Sequence, residues 1–157
     1  GVFSDRVAVK GGLTGRVWFM GAVLLAEGIA LILFSQMGTL FLAVTSMVIF
    51  SLFVQMSEGA TYAVVPFINR KALGGVAGIV GAGGNAGAVS AGFLFRSESL
   101  STPEALMWLG VAVCVSSGFA FLVQFSPAVV EEEQKALEQA LAERAALSQT
   151  KPELAAA

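Results

Sequence analysis

Four long apolar runs separated by short polar breaks occupy most of the chain. They extend from about Val17 to Ser35, Thr39 to Ile68, Ala72 to Phe95 and Pro103 to Phe125. A helix needs roughly 20 predominantly apolar residues to cross the hydrocarbon core of a bilayer, and each run is near or above that length. The pattern predicts an all-α integral membrane fold with four transmembrane helices. The second run is overlong, which predicts tilt or a kink near Pro66. From Ser126 the pattern changes. In "SPAVVEEEQKALEQALAERAALSQ" the apolar positions thin to a weak stripe at Leu137, Leu141 and Ala145. Ser126 is placed to cap a helix and Pro127 to open it. Glu131, Glu132 and Glu133 suit the positive end of the helix dipole, and Glu131 and Lys135 stand at the spacing of an i,i+4 ion pair. A fifth, water-exposed helix is therefore predicted, either simply solvated or a regulatory or partner-docking tail, with "KPELAAA" disordered after it. The chain divides into a membrane part, residues 1–125, and a tail, residues 126–157.

Composition agrees. Hydrophobic residues make up 56% of the 157 and charged residues only 13%. A soluble domain carries about 25% charged residues, so there is too little charge here to cover a water-facing surface. The chain has no histidine and a single cysteine, Cys114. That excludes histidine chemistry and an intrachain disulfide, and leaves Cys114 as a small core residue. No nucleophile–base pair or metal-ligand cluster is visible, so neither an enzyme, a metal site nor a cofactor is expected. The first residue is Gly1, and "GVFSDRVAVKGG" lacks the architecture of a signal peptide. The chain reads as beginning in mid-protein.

The basic residues give the orientation. Arg6, Lys10 and Arg16 precede the first span, Arg70 and Lys71 join the second and third, and Lys135, Arg144 and Lys151 lie in the tail. The opposite side has only Arg96. Cytoplasmic segments carry the excess of Lys and Arg, so both ends of the chain are expected in the cytoplasm, in a multi-pass protein of the cytoplasmic (plasma) membrane.

The third run contains "GIVGAGGNAGAVSAG", residues 78–92, with six glycines and one amide. A nucleotide-binding loop does not fit. The sixth position of G-x-G-x-x-G is Ala86, and the Gly-Lys-Ser/Thr end of a P-loop is absent. On a helix, Gly74, Gly78, Gly81, Asn85, Ala88 and Gly92 fall at intervals of 4, 3, 4, 3 and 4 and make one seam of small residues. Eight glycines lie from Gly74 to Gly92. At about 0.8–1 kcal/mol each against alanine in water, they weaken a helix considerably. Close helix packing is one compensation, a substrate path another. Asn85 is the seam's polar side chain and sits near the bilayer midplane, where an amide must find partners. It serves as interhelical glue or as a substrate contact. Its NH₂ and the exposed backbone offer neutral donors suited to a weakly basic, planar oxyanion.

Two carboxylates enter the spans, Glu27 near the middle of the first and Glu58 in the cytoplasmic half of the second. Charges at such depth cost roughly 2.5–3.5 kcal/mol on insertion scales. Each should be paired, protonated or beside water; proton coupling is a candidate role, chiefly for Glu58. Tyr62 either packs or lines a cavity. Ahead of the first span, "GVFSDR" places a glycine four residues before Asp5 and Arg6, with Lys10 and Arg16 following. This partly resembles the cytoplasmic signature loop of the major facilitator superfamily, with Ala8 where a second glycine is expected. Asp5 and Arg6 are either ordinary loop charges or a gating pair, in which the Asp meets a neighbouring helix N-terminus or an Arg and locks one face of a transporter shut.

Taken with that loop, "EGATYAVVPFINRKALGGVAGIVGAGGNAGAVSAGFLF", residues 58–95, resembles the nitrate/nitrite porter family of that superfamily. The likeness is to its second glycine-rich signature helix and to the loop before it. The resemblance implies that the four spans are helices 9–12 of twelve, working by alternating access, and that Gly81, Gly83, Gly84, Asn85 and Gly87 line the central path. It implies nitrate or nitrite as substrate, protons as a possible co-substrate, the N-terminal half of the same transporter as a partner within the lipid bilayer, and no nucleic acid. Family members hold the anion between two arginines. No arginine lies inside a span here, so those residues would precede Gly1. Two alternatives remain open: a facilitator for another small solute, or a stand-alone four-helix scaffold or channel subunit.

Overall fold

The computed structural model describes residues 2–154, with side chains at 11–69 and 71–143. Its element order is α1 (Val2–Ser35), α2 (Leu40–Ile68), a 3₁₀ turn (Arg70–Ala72), α3 (Leu73–Phe95), α4 (Thr102–Phe121) and α5 (Pro127–Leu154). All regular structure among the described residues is helical. Four segments, Gly11–Ser35, Leu40–Ile68, Leu73–Phe95 and Thr102–Phe121, are long and apolar enough to cross a membrane.

The ends of these helices follow from local chemistry. After α2 the backbone turns extended at Asn69 (φ −158°, ψ 102°). The Asn69 side-chain oxygen accepts from the backbone N–H groups of Lys71 (3.0 Å) and Ala72 (3.2 Å) and starts the short turn into α3. Ser101 caps α4: its hydroxyl accepts from the Glu104 N–H at 3.5 Å, while the Glu104 carboxylate accepts from the Ser101 N–H at 2.8 Å. Together they satisfy two donors at the helix start, with Pro103 in the first turn. The Ser126 carbonyl accepts from Val129 and Val130 as α5 begins. The expected pair within α5 is formed, Lys135 donating to Glu131 at 2.6 Å.

Three boundaries differ from the sequence expectation. The first helix starts well before Val17 and is broken at Gly12, whose φ of 57° and ψ of −150° are non-helical. The fourth ends at Phe121 rather than Phe125; Leu122 and Val123 close its last turn onto Phe119 and Ala120, and Phe125 packs back on the core. Finally, α5 runs on into the stretch expected to be disordered, as far as Leu154, while residues 155–157 lie outside the described residues. In α2, Pro66 lies within the last turn of the helix.

α1 is the centre of the bundle. It packs against α2 on one side and α4 on the other, antiparallel to both: Glu27 meets Ser57 and Met20 clusters with Val64, while Gly21 lies against Phe121 and Gly28 against Gly110. Trp18 and Phe121 stack tilted, with centroids 5.0 Å apart, and Arg16 sits 5.4 Å over the Phe67 ring. The tightest contact is at Gly28. A Cβ there would lie 2.6 Å from Cys114 Sγ and 2.8 Å from the Gly110 carbonyl oxygen; one at Gly110 would lie 2.9 Å from the Gly28 oxygen. α1 and α4 therefore touch backbone to backbone through a glycine pair, as small residues permit in membranes. α3 behaves differently. It touches α2 and α4 only marginally, and none of its residues is buried.

Candidate functional site

A cleft opens between α2 and α3. It has a volume of about 480 Å³ and is lined by Ser57, Glu58, Thr61 and Tyr62 of α2 and Val80, Gly81, Gly84 and Asn85 of α3. Each wall follows from helix periodicity. Ser57 and Thr61, and Glu58 and Tyr62, are i,i+4 pairs, so the four make one polar stripe on an otherwise apolar helix. Opposite, Gly81, Gly84 and Asn85 stand at i, i+3 and i+4. The two glycines expose backbone, and Asn85 projects an amide into the space between. One wall thus carries hydroxyls, a phenol and a carboxyl, and the other an amide donor and bare backbone. A cleft so furnished can hold a small polar or anionic solute and water beside it, but has no fixed positive charge.

The expected site residues divide here. Gly81, Gly84 and Asn85 line the cleft and Glu58 faces it. Gly83 and Gly87 do not, because at 3.6 residues per turn Gly83 points about 160–200° away from Gly81. The side chains of Asp5 and Arg6 lie outside the described residues. Tyr62 lines the cleft, 51% exposed. Ser57 and Thr61 were not singled out from the sequence. The signal for them was present in the i,i+4 spacing with Glu58 and Tyr62. Glu27 does not reach the cleft directly; Ser57, itself 5% exposed, donates its hydroxyl proton to the Glu27 carboxyl from the cleft side.

The glycine seam of α3 is not packed within this chain. At Gly74, Gly78, Gly81 and Gly92 an added Cβ would meet nothing within 4 Å, and the same holds for Gly83, Gly84 and Gly87 beside the seam. The close approach that glycines make possible occurs instead between α1 and α4. No group of three or more metal-ligating side chains is found among the described residues.

The sequence has known relatives. The chain is 40% identical over 104 residues, 66% of its length, to a high affinity nitrate transporter 2.5 of Arabidopsis thaliana. It is 34% identical over 130 residues, 78% of its length, to nitrate transporter 2.2 of Chlamydomonas reinhardtii. By sequence, this chain belongs with the nitrate/nitrite porters. A nitrate/nitrite transporter of Picosynechococcus is 39% identical over 93 residues, 57% of the chain. The matched regions make up 21%, 25% and 16% of these relatives, so the chain spans a quarter of their length or less. No family model matches, and no solved structure does. With four helices able to span a bilayer, the chain is part of a multi-pass membrane protein.

Proposed function

We propose that the chain forms the last four of twelve transmembrane helices of a nitrate/nitrite transporter in the plasma membrane, with both ends of the chain in the cytoplasm. The observation that carries this reading is the cleft between α2 and α3. There the one amide of the glycine-rich helix stands over bare backbone at Gly81 and Gly84, opposite a polar stripe, in a chain whose relatives are named nitrate transporters. Nitrate is flat, weakly basic and singly charged. Amide N–H donors match its oxygens without the desolvation that a buried cation requires.

In this reading the open face of α3 is completed by the N-terminal half. Gly81, Gly84 and Asn85 border the central anion path on one face of α3, and Gly83 and Gly87 border it from the other. Arginines outside this chain supply the positive charge. The two halves rock about the midplane site in alternating access, with Asp5 and Arg6 gating the cytoplasmic face. Glu58 is the cleft's candidate for proton coupling. The test is Asn85→Ala in the full-length protein. Nitrate uptake should fall at equal surface expression, and uptake kinetics indistinguishable from wild type would remove Asn85 from the site.

A further inference from the structure

A half-buried hydrogen-bond geometry beside the cleft points to a proton-binding site that the anion path itself does not require. Ser57 Oγ lies within hydrogen-bond reach of two oxygens, the Glu27 carboxylate oxygen across the α1–α2 interface and the Val54 carbonyl oxygen at 2.9 Å on its own helix. A serine hydroxyl has one proton to give. If it goes to Glu27, Glu27 is an anion. If it goes to Val54, the Glu27–Ser57 contact needs a proton of its own, and Glu27 is a neutral acid donating to Ser57 Oγ. Both states keep the Glu27–Ser57 hydrogen bond, and no heavy atom need move between them.

The surroundings supply no fixed countercharge. Leu40–Ile68 and Thr102–Phe121, the helices packed on either side of α1, contain neither Lys nor Arg. Arg16, on α1 itself, is eleven residues away, about 16 Å along the axis. The titratable groups facing Glu27 are Glu58 on α2, close enough for its charge to act on Glu27, and the Cys114 thiol on α4, 4.0 Å from the Leu25 carbonyl oxygen. α5 begins at the opposite end of α1, beside Val17 and Trp18.

We infer that Glu27 and Ser57 form a proton site wired to the anion cleft, with Ser57 as the relay and Glu58 at its mouth. To release the proton, the Glu27 O–H bond breaks and the proton passes to Ser57 Oγ. The proton already on Ser57 passes to a water in the cleft. Glu27 is left as the carboxylate, Ser57 as a neutral hydroxyl and the water as hydronium. Loading is the reverse. Nitrate, the conjugate base of a strong acid, does not carry this proton; the protein does. An anion entering beside Ser57 favours the neutral form of Glu27, and by linkage the neutral form favours the anion by the same factor. This inference rests on the nitrate reading above.

The experiment uses the full-length protein in liposomes and compares two rates: exchange of labelled nitrate at equal pH, and nitrate accumulation driven by an inward proton gradient. Glu27→Gln mimics the neutral acid and keeps a partner for Ser57. Its expected signature is loss of the response to the gradient, so that the ratio of driven uptake to exchange falls, with nitrate KM no longer improving as pH is lowered. Ser57→Ala should lower the same ratio, and Ser57→Thr, which restores a hydroxyl, should recover it. A Glu27→Gln protein with the wild-type ratio and pH dependence overturns the inference. If Glu27→Gln abolishes both rates, the serine pair decides: an unchanged ratio in Ser57→Ala overturns it, and a fall rescued by Ser57→Thr supports it. Wild-type nitrate accumulation that ignores the gradient, with exchange intact, overturns the proton site and leaves the nitrate reading standing. Absence of nitrate exchange in the wild type overturns the nitrate reading instead.

Discussion

Two glycines of the same chain play opposite parts, and substitution separates them. At Gly28 a methyl group would collide with backbone of α4, 2.8 Å from the Gly110 oxygen and 2.9 Å from the Cys114 nitrogen. Backbone cannot step aside as a side-chain tip can, so Gly28→Ala must push α1 from α4. Overpacking of this kind costs about 1–3 kcal/mol and should appear as a lower melting temperature of the purified full-length protein. Gly84 meets nothing within 4 Å. Gly84→Ala improves helix propensity by about 1 kcal/mol and should leave melting unchanged or raised, while lowering nitrate uptake because the methyl enters the cleft opposite Tyr62. A loss of stability in Gly84→Ala equal to that in Gly28→Ala would show that the seam is a packing surface and nothing more.

At the level of elements, much was legible beforehand. The four spans stand out because apolar runs of bilayer length are rare by chance, and the tail helix because proline, acids and an i,i+4 pair follow one another in order. Helix ends were less legible. The lead-in to α1 is polar, so hydropathy stops where the helix does not. Leu122–Phe125 is apolar but for Gln124, so hydropathy continues where the helix has stopped. The cleft was half legible. Asn85 and Glu58 stand out as polar residues at depth, whereas Ser57 and Thr61 were overlooked because hydroxyls are commonly absorbed by their own helix, as Ser51 and Ser90 are here. The Gly28–Gly110 crossing was not legible, since a single glycine carries no partner's name. The α4 start offers a local test. Ser101→Ala removes the hydroxyl that accepts from Glu104 N–H and donates to its carboxylate at 2.7 Å. The loss should be about 1 kcal/mol, read as faster amide hydrogen exchange confined to the first turn of α4.

Across the whole molecule, stability is uneven. α1, α2 and α4 share the buried residues, while α3 has none. Local opening is easiest where few apolar contacts must break. In the isolated chain in detergent, the amides of α3 should therefore exchange faster than those of α1, and in the full-length protein, where the N-terminal half is proposed to cover α3, the difference should shrink. Equal protection of α3 in both would mean that this chain alone secures its glycine helix. The break at Gly12 bears on the same question of what moves with what. A right-handed helix transmits twist from end to end, as a shaft does. At a φ of 57° that shaft is cut, so the segment bearing Asp5 and Arg6 can be turned like a rudder on its own bearing. In the proposed alternating access the lead-in can then follow one half of the molecule while Glu27, fifteen residues beyond Gly12, keeps its heading towards Ser57.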